Sequence, residues 1–236
     1  DYLELVLKAD RVLCLSHHTL ERLVTYSKSQ KRALRATPKV AYPPMLESIK
    51  TVHRSPTGHS RPRASRRIFG LAPLNRRKNL LVVLRAVRQM LRSGVDTELV
   101  FVVPIMSAVH IPTALVALWM TIRHPGKVKL RGPVDNETLK ELYEWADVVV
   151  VPSRSEGFGL PIVEALAAGK AVVAAECTSF IELSRMLPIQ LADPDDSRSW
   201  REAIVSAEVP RSSSIDFKKV LTHPDDFRRL IILESR

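Results

Sequence analysis

The stretch from Val148 to Gly169 constrains the fold of this chain more than any other. Val148–Val151 is a run of four β-branched apolar residues, which is typical of a short strand buried on both faces. Pro161 suits the first position of a helix and Gly169 suits the helix end. The turn between this strand and this helix is therefore expected at the carboxyl edge of a parallel sheet, where open α/β folds bind their ligands.

Two carboxylates flank this predicted turn. Glu156 is expected on the strand-to-helix loop, and Glu164 on the first turn or so of the helix. Backbone N–H groups between them are expected to face an anion, which the helix dipole also favours; they belong to Gly157, Phe158, Gly159 and Leu160. Carboxylates accept strong hydrogen bonds from hydroxyls. The pattern thus suits a ligand that is part anion and part polyol, and a nucleotide sugar has both parts.

The order Ser-Glu-Gly-Phe-Gly-Leu-Pro at residues 155–161, with Glu164 eight residues after Glu156, resembles the signature of the retaining glycosyltransferases of family 4. These enzymes have the GT-B fold. The resemblance implies that Glu156 contacts the donor sugar and that Glu164 binds the ribose. Two glutamates at this spacing without the glycine-rich context would be read more simply as acids at a helix start.

The resemblance extends over most of the chain. Further segments match the family in the same order, at residues 9–16, 40–44, 76–80, 131–135, 142–147, 171–174 with 179–182, and 193–196. The family usually places an arginine soon after the glycine that corresponds to Gly70. Here that arginine is missing or displaced to Arg76, and Pro104 stands where a glycine is expected.

A basic run, Arg76-Arg77-Lys78, follows the predicted first strand of this region. Positive charge at this place can stabilise a leaving diphosphate. We assign Arg76 and Lys78, with Glu156, to catalysis. Arg77 is assigned to donor binding, with Glu164 and the loop N–H groups. Since these cations can do the work of a metal ion, no metal site is predicted, and the Asp193/Asp195 pair is interpreted as a helix cap.

Strand and helix patterns alternate along the chain, which predicts an α/β fold with a doubly wound parallel sheet. The resemblance implies that this sheet is of the GT-B type. We predict the end of an N-terminal, acceptor-side domain at 1–45, a basic linker at 46–66, a C-terminal donor-binding domain at 67–208 and a helical tail at 209–236. Most of the first domain is expected to be missing, so this chain alone is expected not to transfer sugar to an acceptor.

The net charge of +11 is uneven, because residues 1–100 carry +13 and the remainder −2. An anionic partner is therefore expected for the first part. Arg54–Arg67, rich in Pro, Ser and Arg, is either a solvated basic loop or a contact with an anionic membrane surface. Nucleic acid is disfavoured, because the sequence has neither zinc-finger spacing nor an aromatic stacking platform beside the basic run.

Two further patterns bear on location. Cys14 and Cys177 lack a C-x-x-C spacing and lie among apolar residues, so buried free thiols in a reducing compartment are expected. Leu99–Ile122 carries no formal charge, but prolines interrupt it. A strand followed by a helix is predicted there instead of a membrane span. We expect a cytoplasmic protein, with peripheral membrane contact as an open possibility.

The predicted function is transfer of a sugar, with retention, from a UDP- or GDP-linked donor to a hydroxyl of a saccharide or lipid-linked acceptor. No cofactor beyond the donor substrate is expected. The alternative is a non-catalytic GT-B half that binds a nucleotide sugar or acts as a partner module.

Overall fold

The computed structural model describes residues 2–44, 65–104, 109–211 and 215–222. Most of the predicted basic linker, including the stretch proposed for membrane contact up to residue 64, lies outside these residues. The last part of the predicted tail, 223–236, lies outside them as well.

Strands and helices alternate through the described residues. The strands are β1 (Leu13–Cys14), β2 (Lys39–Val40), β3 (Ser65–Leu71), β4 (Asp96–Val102), β5 (Val128–Arg131), β6 (Val148–Val151), β7 (Ala171–Ala175) and β8 (Gln190–Ala192). The helices are α1 (Tyr2–Lys8), α2 (His17–Ser29), α3 (Leu80–Arg92), α4 (Ile111–Arg123), α5 (Asn136–Trp145), α6 (Leu160–Ala167), α7 (Thr178–Ser184) and α8 (Ser197–Ser206).

Six strands form one parallel sheet in the order β5-β4-β3-β6-β7-β8. The strand order reverses between β3 and β6, which pair at Ile68 and Phe69. The loops that leave these two strands diverge to opposite faces, and this opens a crevice at the carboxyl edge. The predicted α/β fold with a doubly wound parallel sheet is confirmed.

Each face of the sheet is covered by its own helices. Neighbouring residues of β3 show the division, because Ile68 belongs to one apolar core and Phe69 to the other. Helices α3, α4 and α8 pack on the Ile68 side, and we call them the α3 layer. Helices α5, α6 and α7 pack on the Phe69 side and form the α6 layer.

The N-terminal segment, residues 2–44, forms a separate two-stranded parallel sheet, β1–β2, with α1 and α2 beside it. It lies against the α6 layer, where the Tyr42 and Phe158 ring centroids are 5.9 Å apart. The other end of the described chain returns to the same place, since the Thr222 N–H donates to the Pro43 carbonyl at 3.1 Å.

Several sequence predictions need correction. Of the predicted helical tail, 209–236, the structure describes 209–211 and 215–222, and a short 3₁₀ turn, Phe217–Lys219, forms there in place of an α-helix. Helix α2 begins at His17, because Ser16 caps it by accepting from the Thr19 N–H at 3.1 Å. Strand β4 begins at Asp96, three residues before the apolar run that predicted it.

Asp135 caps α5, and its bonds to Thr138 lower the pKa of its carboxyl. Other predictions hold. Both cysteines are free and buried, and burial raises the pKa of each thiol. The uncharged run 99–122 is divided between β4 and α4. Among the helices of the described ranges, none combines the length and the apolar character that crossing a bilayer requires.

Candidate active site

The loop between β6 and α6 is shaped by glycine and proline. Gly159, with φ of 114°, is the N-cap of α6, and a proline occupies the first turn. A Cβ on Gly159 would lie 2.6 Å from Cε1 of Phe180 on α7. Glycine is therefore required here by backbone conformation and by close packing against α7.

Four consecutive N–H groups of this loop have no acceptor among the described residues; they belong to Gly157, Phe158, Gly159 and Leu160. Phe158 and Gly159 are buried. An N–H group that is shielded from water and unpaired costs free energy, on the order of 1–3 kcal/mol. The loop is thus a set of donors at a helix start, where the dipole favours an anion.

Glu156 stands beside this loop and is held by two cations. Its carboxylate forms an ion pair with Lys78, and both side chains are mostly buried. Arg77 Nη1 lies 3.4 Å from the second Glu156 oxygen and 2.9 Å from the Ser155 carbonyl, to which it donates. The Arg154 N–H donates to the Arg77 carbonyl at 2.8 Å. These bonds join the β3–α3 loop to the β6–α6 loop across the crevice.

The β3–α3 loop is itself fixed by two asparagines. Asn75 Oδ1 accepts from the Lys78 N–H at 2.9 Å. Asn79 adopts a left-handed conformation, with φ of 52°, and its amide donates to the Pro194 carbonyl at 2.8 Å. Asn tolerates this conformation better than most residues. The backbone that presents Arg77 and Lys78 is therefore held at both ends.

Glu164 lies on α6, one turn into the helix, and Tyr143 of α5 fixes its direction. The Tyr143 hydroxyl donates to Glu164 Oε2 at 2.9 Å. Tyr143 is buried, and burial together with the negative charge of Glu164 raises the pKa of its hydroxyl well above the ordinary value. One carboxylate oxygen is thus occupied by a neutral donor, and Oε1 has no partner among the described side chains.

Arg76 is placed apart from the other predicted site residues. It is exposed and lines a cavity of about 240 Å³ together with Asn79, Leu81, His110, Thr113 and Arg154. Arg77, rather than Arg76, takes the position beside Glu156. The structure therefore brings together Glu156, Lys78 and Arg77 but not Arg76.

Two residues that the sequence did not single out for the site connect it to its surroundings. Tyr143 orients Glu164 as described. Glu182 on α7 accepts from the His17 and His18 N–H groups at 3.1 and 3.2 Å, and from the Tyr42 hydroxyl at 3.0 Å. The Glu182 carboxylate thus caps the neighbouring helix α2.

The N-terminal segment also touches the glycine-rich loop directly. Thr19 Oγ1 on the first turn of α2 donates to the Gly157 carbonyl at 3.3 Å. Near this junction the His17 and Tyr42 rings pack edge to face, with 6.5 Å between their centroids. The start of α2 therefore forms one wall of the crevice beside the loop.

The Asp193/Asp195 pair has roles within the protein. Asp193 Oδ1 accepts from the Asp195 N–H at 2.7 Å, and Asp195 forms an ion pair with Arg154. The cap of α8 is the next residue, Asp196, which accepts from the Arg198 N–H at 2.8 Å. In the described ranges, no three His, Cys, Asp or Glu side chains converge as metal ligands would.

Residues 65–207 match the family model of glycosyl transferases group 1. The chain belongs to this family. Among its curated relatives is the D-inositol 3-phosphate glycosyltransferase of Corynebacterium kroppenstedtii, 33% identical over 137 residues, or 56% of this chain and 30% of the relative. Another is the O-antigen chain mannosyltransferase RfbU of Salmonella typhimurium, 37% identical over 82 residues, or 35% of this chain and 23% of the relative.

Solved structures share the fold at lower identity. Sucrose-phosphate synthase from Thermosynechococcus elongatus superposes with a TM-score of 0.64 at 21% identity, over 86% of this chain and 50% of that one. Anabaena Alr3699/HepE, solved in complex with UDP and glucose, gives 0.64 at 20% identity, over 87% and 55%. The chain thus has the fold of one half of a GT-B glycosyltransferase. It spans about half of these structures and a third or less of the curated relatives.

Proposed function

We propose that this chain is the donor-binding half of a retaining, family 4-type glycosyltransferase, and that the β6–α6 loop holds the diphosphate of a nucleotide sugar. The observation that carries the proposal is the set of four unpaired N–H groups, Gly157 to Leu160, at the start of α6. Donors in this arrangement match the oxygens of a phosphate group. Carboxylates on both sides of them match the hydroxyls that such a ligand also carries.

Each predicted residue then has a distinct task. Glu164, already oriented by Tyr143, accepts hydrogen bonds from the ribose hydroxyls through its remaining oxygen. Lys78 and Arg77 contribute positive charge toward the diphosphate, Arg as a bidentate donor and Lys as a point charge. Glu156, which forms ion pairs with both cations, contacts the donor sugar. The cations make a divalent metal unnecessary in this scheme.

The reaction breaks the bond between the anomeric carbon and the diphosphate oxygen, and the diphosphate leaves with the electron pair. Its developing charge is stabilised by the loop N–H groups and by Lys78, which are fixed before the reaction begins. The acceptor hydroxyl oxygen bonds to the anomeric carbon on the face that the diphosphate left, which gives retention, and the hydroxyl proton passes to the leaving diphosphate oxygen. Among the described residues Glu156 pairs with Lys78 and Arg77 and not with Arg76, so we propose the catalytic cation role for Lys78 with Arg77.

For the acceptor, the names of the relatives favour a saccharide or a lipid-linked sugar, because two of them are O-antigen chain mannosyltransferases. The UDP in the HepE complex favours a UDP-linked sugar as donor, and a GDP-linked sugar is the second candidate. We also propose a cytoplasmic location, with part of the substrate at the membrane. The whole enzyme's substrates remain proposals, since the chain spans only part of these relatives.

Isothermal titration of the purified chain with UDP and GDP tests the donor site. We expect micromolar to millimolar binding of one of them, unchanged by EDTA. Glu164→Ala should weaken it by about 1.5–3 kcal/mol, because a charged hydrogen bond to a ribose hydroxyl is lost. Glu156→Gln should leave nucleotide affinity nearly unchanged and should weaken only binding of the sugar-carrying form.

Glu202→Ala is the matched control, since Glu202 is an exposed glutamate on α8, remote from the loop. It should bind like the wild type. Equal affinity of Glu164→Ala and wild type for UDP and GDP would remove the ribose role. Loss of affinity in EDTA that Mn²⁺ restores would contradict the metal-free site.

A further inference from the structure

Helix α4 carries an exposed apolar stripe. Its large outward side chains are between 42% and 72% exposed, and they are Ile111, Leu115, Leu118, Trp119 and Ile122. Their spacing, i, i+4, i+7, i+8 and i+11, places them on one side of the helix. Thr113, Ala117 and Met120 face the core on the other side. An amphipathic helix normally turns its polar side to water, and here the outward side is apolar.

The stripe dominates the exposed apolar surface of the described residues. Five of the nine large apolar side chains exposed there belong to α4, and the other four are scattered over α1, β1–α2 and the end of α8. Single exposed apolar residues are ordinary, whereas a contiguous patch indicates an interaction site. The N-terminal segment does not cover it, because that segment lies against the α6 layer on the opposite face of the sheet.

The border of the stripe is positively charged. Helix α3, which packs beside α4, contributes Arg85, Arg88 and Arg92, and α4 ends in Arg123. Neither helix contains a carboxylate. The Arg88 guanidinium stacks on Trp119 at 4.7 Å from the ring centroid. Burial and the charges of Arg123, Arg88 and Arg92 lower the pKa of His124, which shows how closely these arginines gather at the end of α4.

From this geometry we propose that α4 docks on an anionic lipid surface. The helix lies in the plane of the interface, its apolar stripe enters the acyl boundary, and the arginines of α3 and Arg123 contact the headgroup phosphates. Apolar residues including a Trp, bordered by basic residues, are the composition of interfacial helices. At about 20 Å, α4 has the length to lie on the surface and is too short to cross it.

Charge decides between lipid and a second copy of this chain. In a two-fold pair of α4 helices the same surface meets itself. Both copies would then bring their arginines into the same contact, and α3 and α4 offer no carboxylate to offset this positive charge. An anionic membrane surface supplies the opposite charge to the same residues.

Vesicle flotation tests the proposal. The probes are phosphatidylcholine vesicles and vesicles of an equal mixture of phosphatidylcholine and phosphatidylglycerol, without sugar donor. Wild type should float with the anionic vesicles only. Leu115→Gln/Leu118→Gln should bind them roughly tenfold more weakly or worse, because two apolar side chains no longer leave water. Arg92→Gln/Arg123→Gln should restrict binding to lower ionic strength.

Leu5→Gln/Val209→Gln is the matched control, since both residues are exposed apolar side chains away from α4. It should float like wild type. Trp119 gives an independent signal: brominated lipid should quench part of the wild-type fluorescence, and Trp119→Phe should abolish that part. Trp200, which is fully buried, should not be quenched.

Failure of the wild type to float with anionic vesicles would overturn the proposal, as would unchanged flotation of the Leu115→Gln/Leu118→Gln variant. If instead only an Arg54→Gln/Arg61→Gln/Arg63→Gln variant loses flotation, the basic stretch before β3 and not α4 is the lipid contact. A wild-type dimer that Leu118→Gln dissociates, without flotation, would assign the stripe to a second copy.

Discussion

The two helical layers of the sheet differ in what lies outside them. The α6 layer is covered by the N-terminal segment, and its side chains make specific contacts. Glu182 accepts hydrogen bonds from α2, Tyr143 donates to Glu164, and Phe180 packs on Gly159. The α3 layer leaves its outermost helix uncovered, with apolar side chains and arginines facing outward. The α6 layer therefore positions the candidate site, while the outside of the α3 layer is free to form an interaction surface. Variants in the α6 layer should therefore be costly, and variants on the outside of α4 should not.

Gly159→Ala should have the largest effect among the variants that probe the candidate site and its supporting contacts. The added Cβ meets Phe180 at 2.6 Å, and the φ of 114° is unfavourable for any side chain. We expect a loss of about 2–4 kcal/mol in the free energy of unfolding, measured by urea denaturation.

Gly169→Ala separates the two causes. Gly169 also has a positive φ, 70°, but nothing lies within 4 Å of its added Cβ. Gly169→Ala should lower the free energy of unfolding by only about 1 kcal/mol, because only the backbone conformation is unfavourable there. Equal losses for both glycines would mean that Phe180 moves aside and that close packing of α6 on α7 is not what demands a glycine.

The contacts that distinguish the α6 layer from the α3 layer could be predicted only in part from the sequence. The strand β6, the start of α6 and the cap Asp135 depend on neighbours along the chain, so local patterns reveal them. Tyr143 and Glu182 act on residues 21 and 140–165 positions away. Such pairings depend on how the helices pack, and no short pattern records them.

The same limit explains the assignments in the basic run. Arg76, Arg77 and Lys78 are consecutive residues in a loop, where no periodicity tells which side chain faces which way. The ion pairs with Glu156 and the bond to Ser155 select Arg77 and Lys78. The early start of β4 has a similar cause. Its first residues, Asp96 to Glu98, are mostly polar, yet the backbone pairs there with Ser65–Arg67 of β3.

Glu182→Ala should have the next largest effect, and it tests how firmly the N-terminal segment covers the α6 layer. Two N–H groups of α2 and the Tyr42 hydroxyl lose their acceptor. We expect about 2 kcal/mol lower stability. Hydrogen exchange should show faster exchange in α2 and unchanged protection in β3 to β7.

Unchanged exchange in α2 would mean that apolar contacts such as Tyr42 on Phe158 hold the segment without the cap. Glu176→Ala is the control. Glu176 is exposed and lies close to Glu182 in the chain, and its carboxylate accepts no hydrogen bond among the described residues. It should leave the exchange of α2 as in the wild type.

Tyr143→Phe should have a smaller effect, about 1 kcal/mol at neutral pH, because one buried hydrogen bond to Glu164 is removed. The pH dependence is the sharper test. Burial raises the pKa of Tyr143 in the folded state above its unfolded value near 10. The stabilisation is therefore complete below pH 10 and is lost as the pH rises beyond it, since the unfolded chain gives up this proton more readily.

Urea denaturation from pH 8 to pH 11 measures this difference. The free energy of unfolding should fall more steeply above pH 10 in wild type than in Tyr143→Phe. Parallel curves for the two proteins would show that the Tyr143 hydroxyl is not held in its neutral form by the α6 layer, and Glu164 would then lack the fixed orientation proposed for ribose binding.

Leu118→Gln should have the smallest effect and completes the comparison from the other face. Leu118 is 57% exposed, so its side chain already stands in water and little burial is lost. Leu and Gln have similar helix propensities, and α4 should keep its form. We expect a change within about 0.5 kcal/mol by urea denaturation.

The matched variant is Leu183→Gln in α7, where the same exchange places an amide in a site that is 2% exposed. Lost burial and an unpaired amide should cost that variant about 3 kcal/mol or more. If Leu118→Gln proved as costly as Leu183→Gln, the outside of α4 would be covered within the folded chain, and the contrast between the two layers would fail.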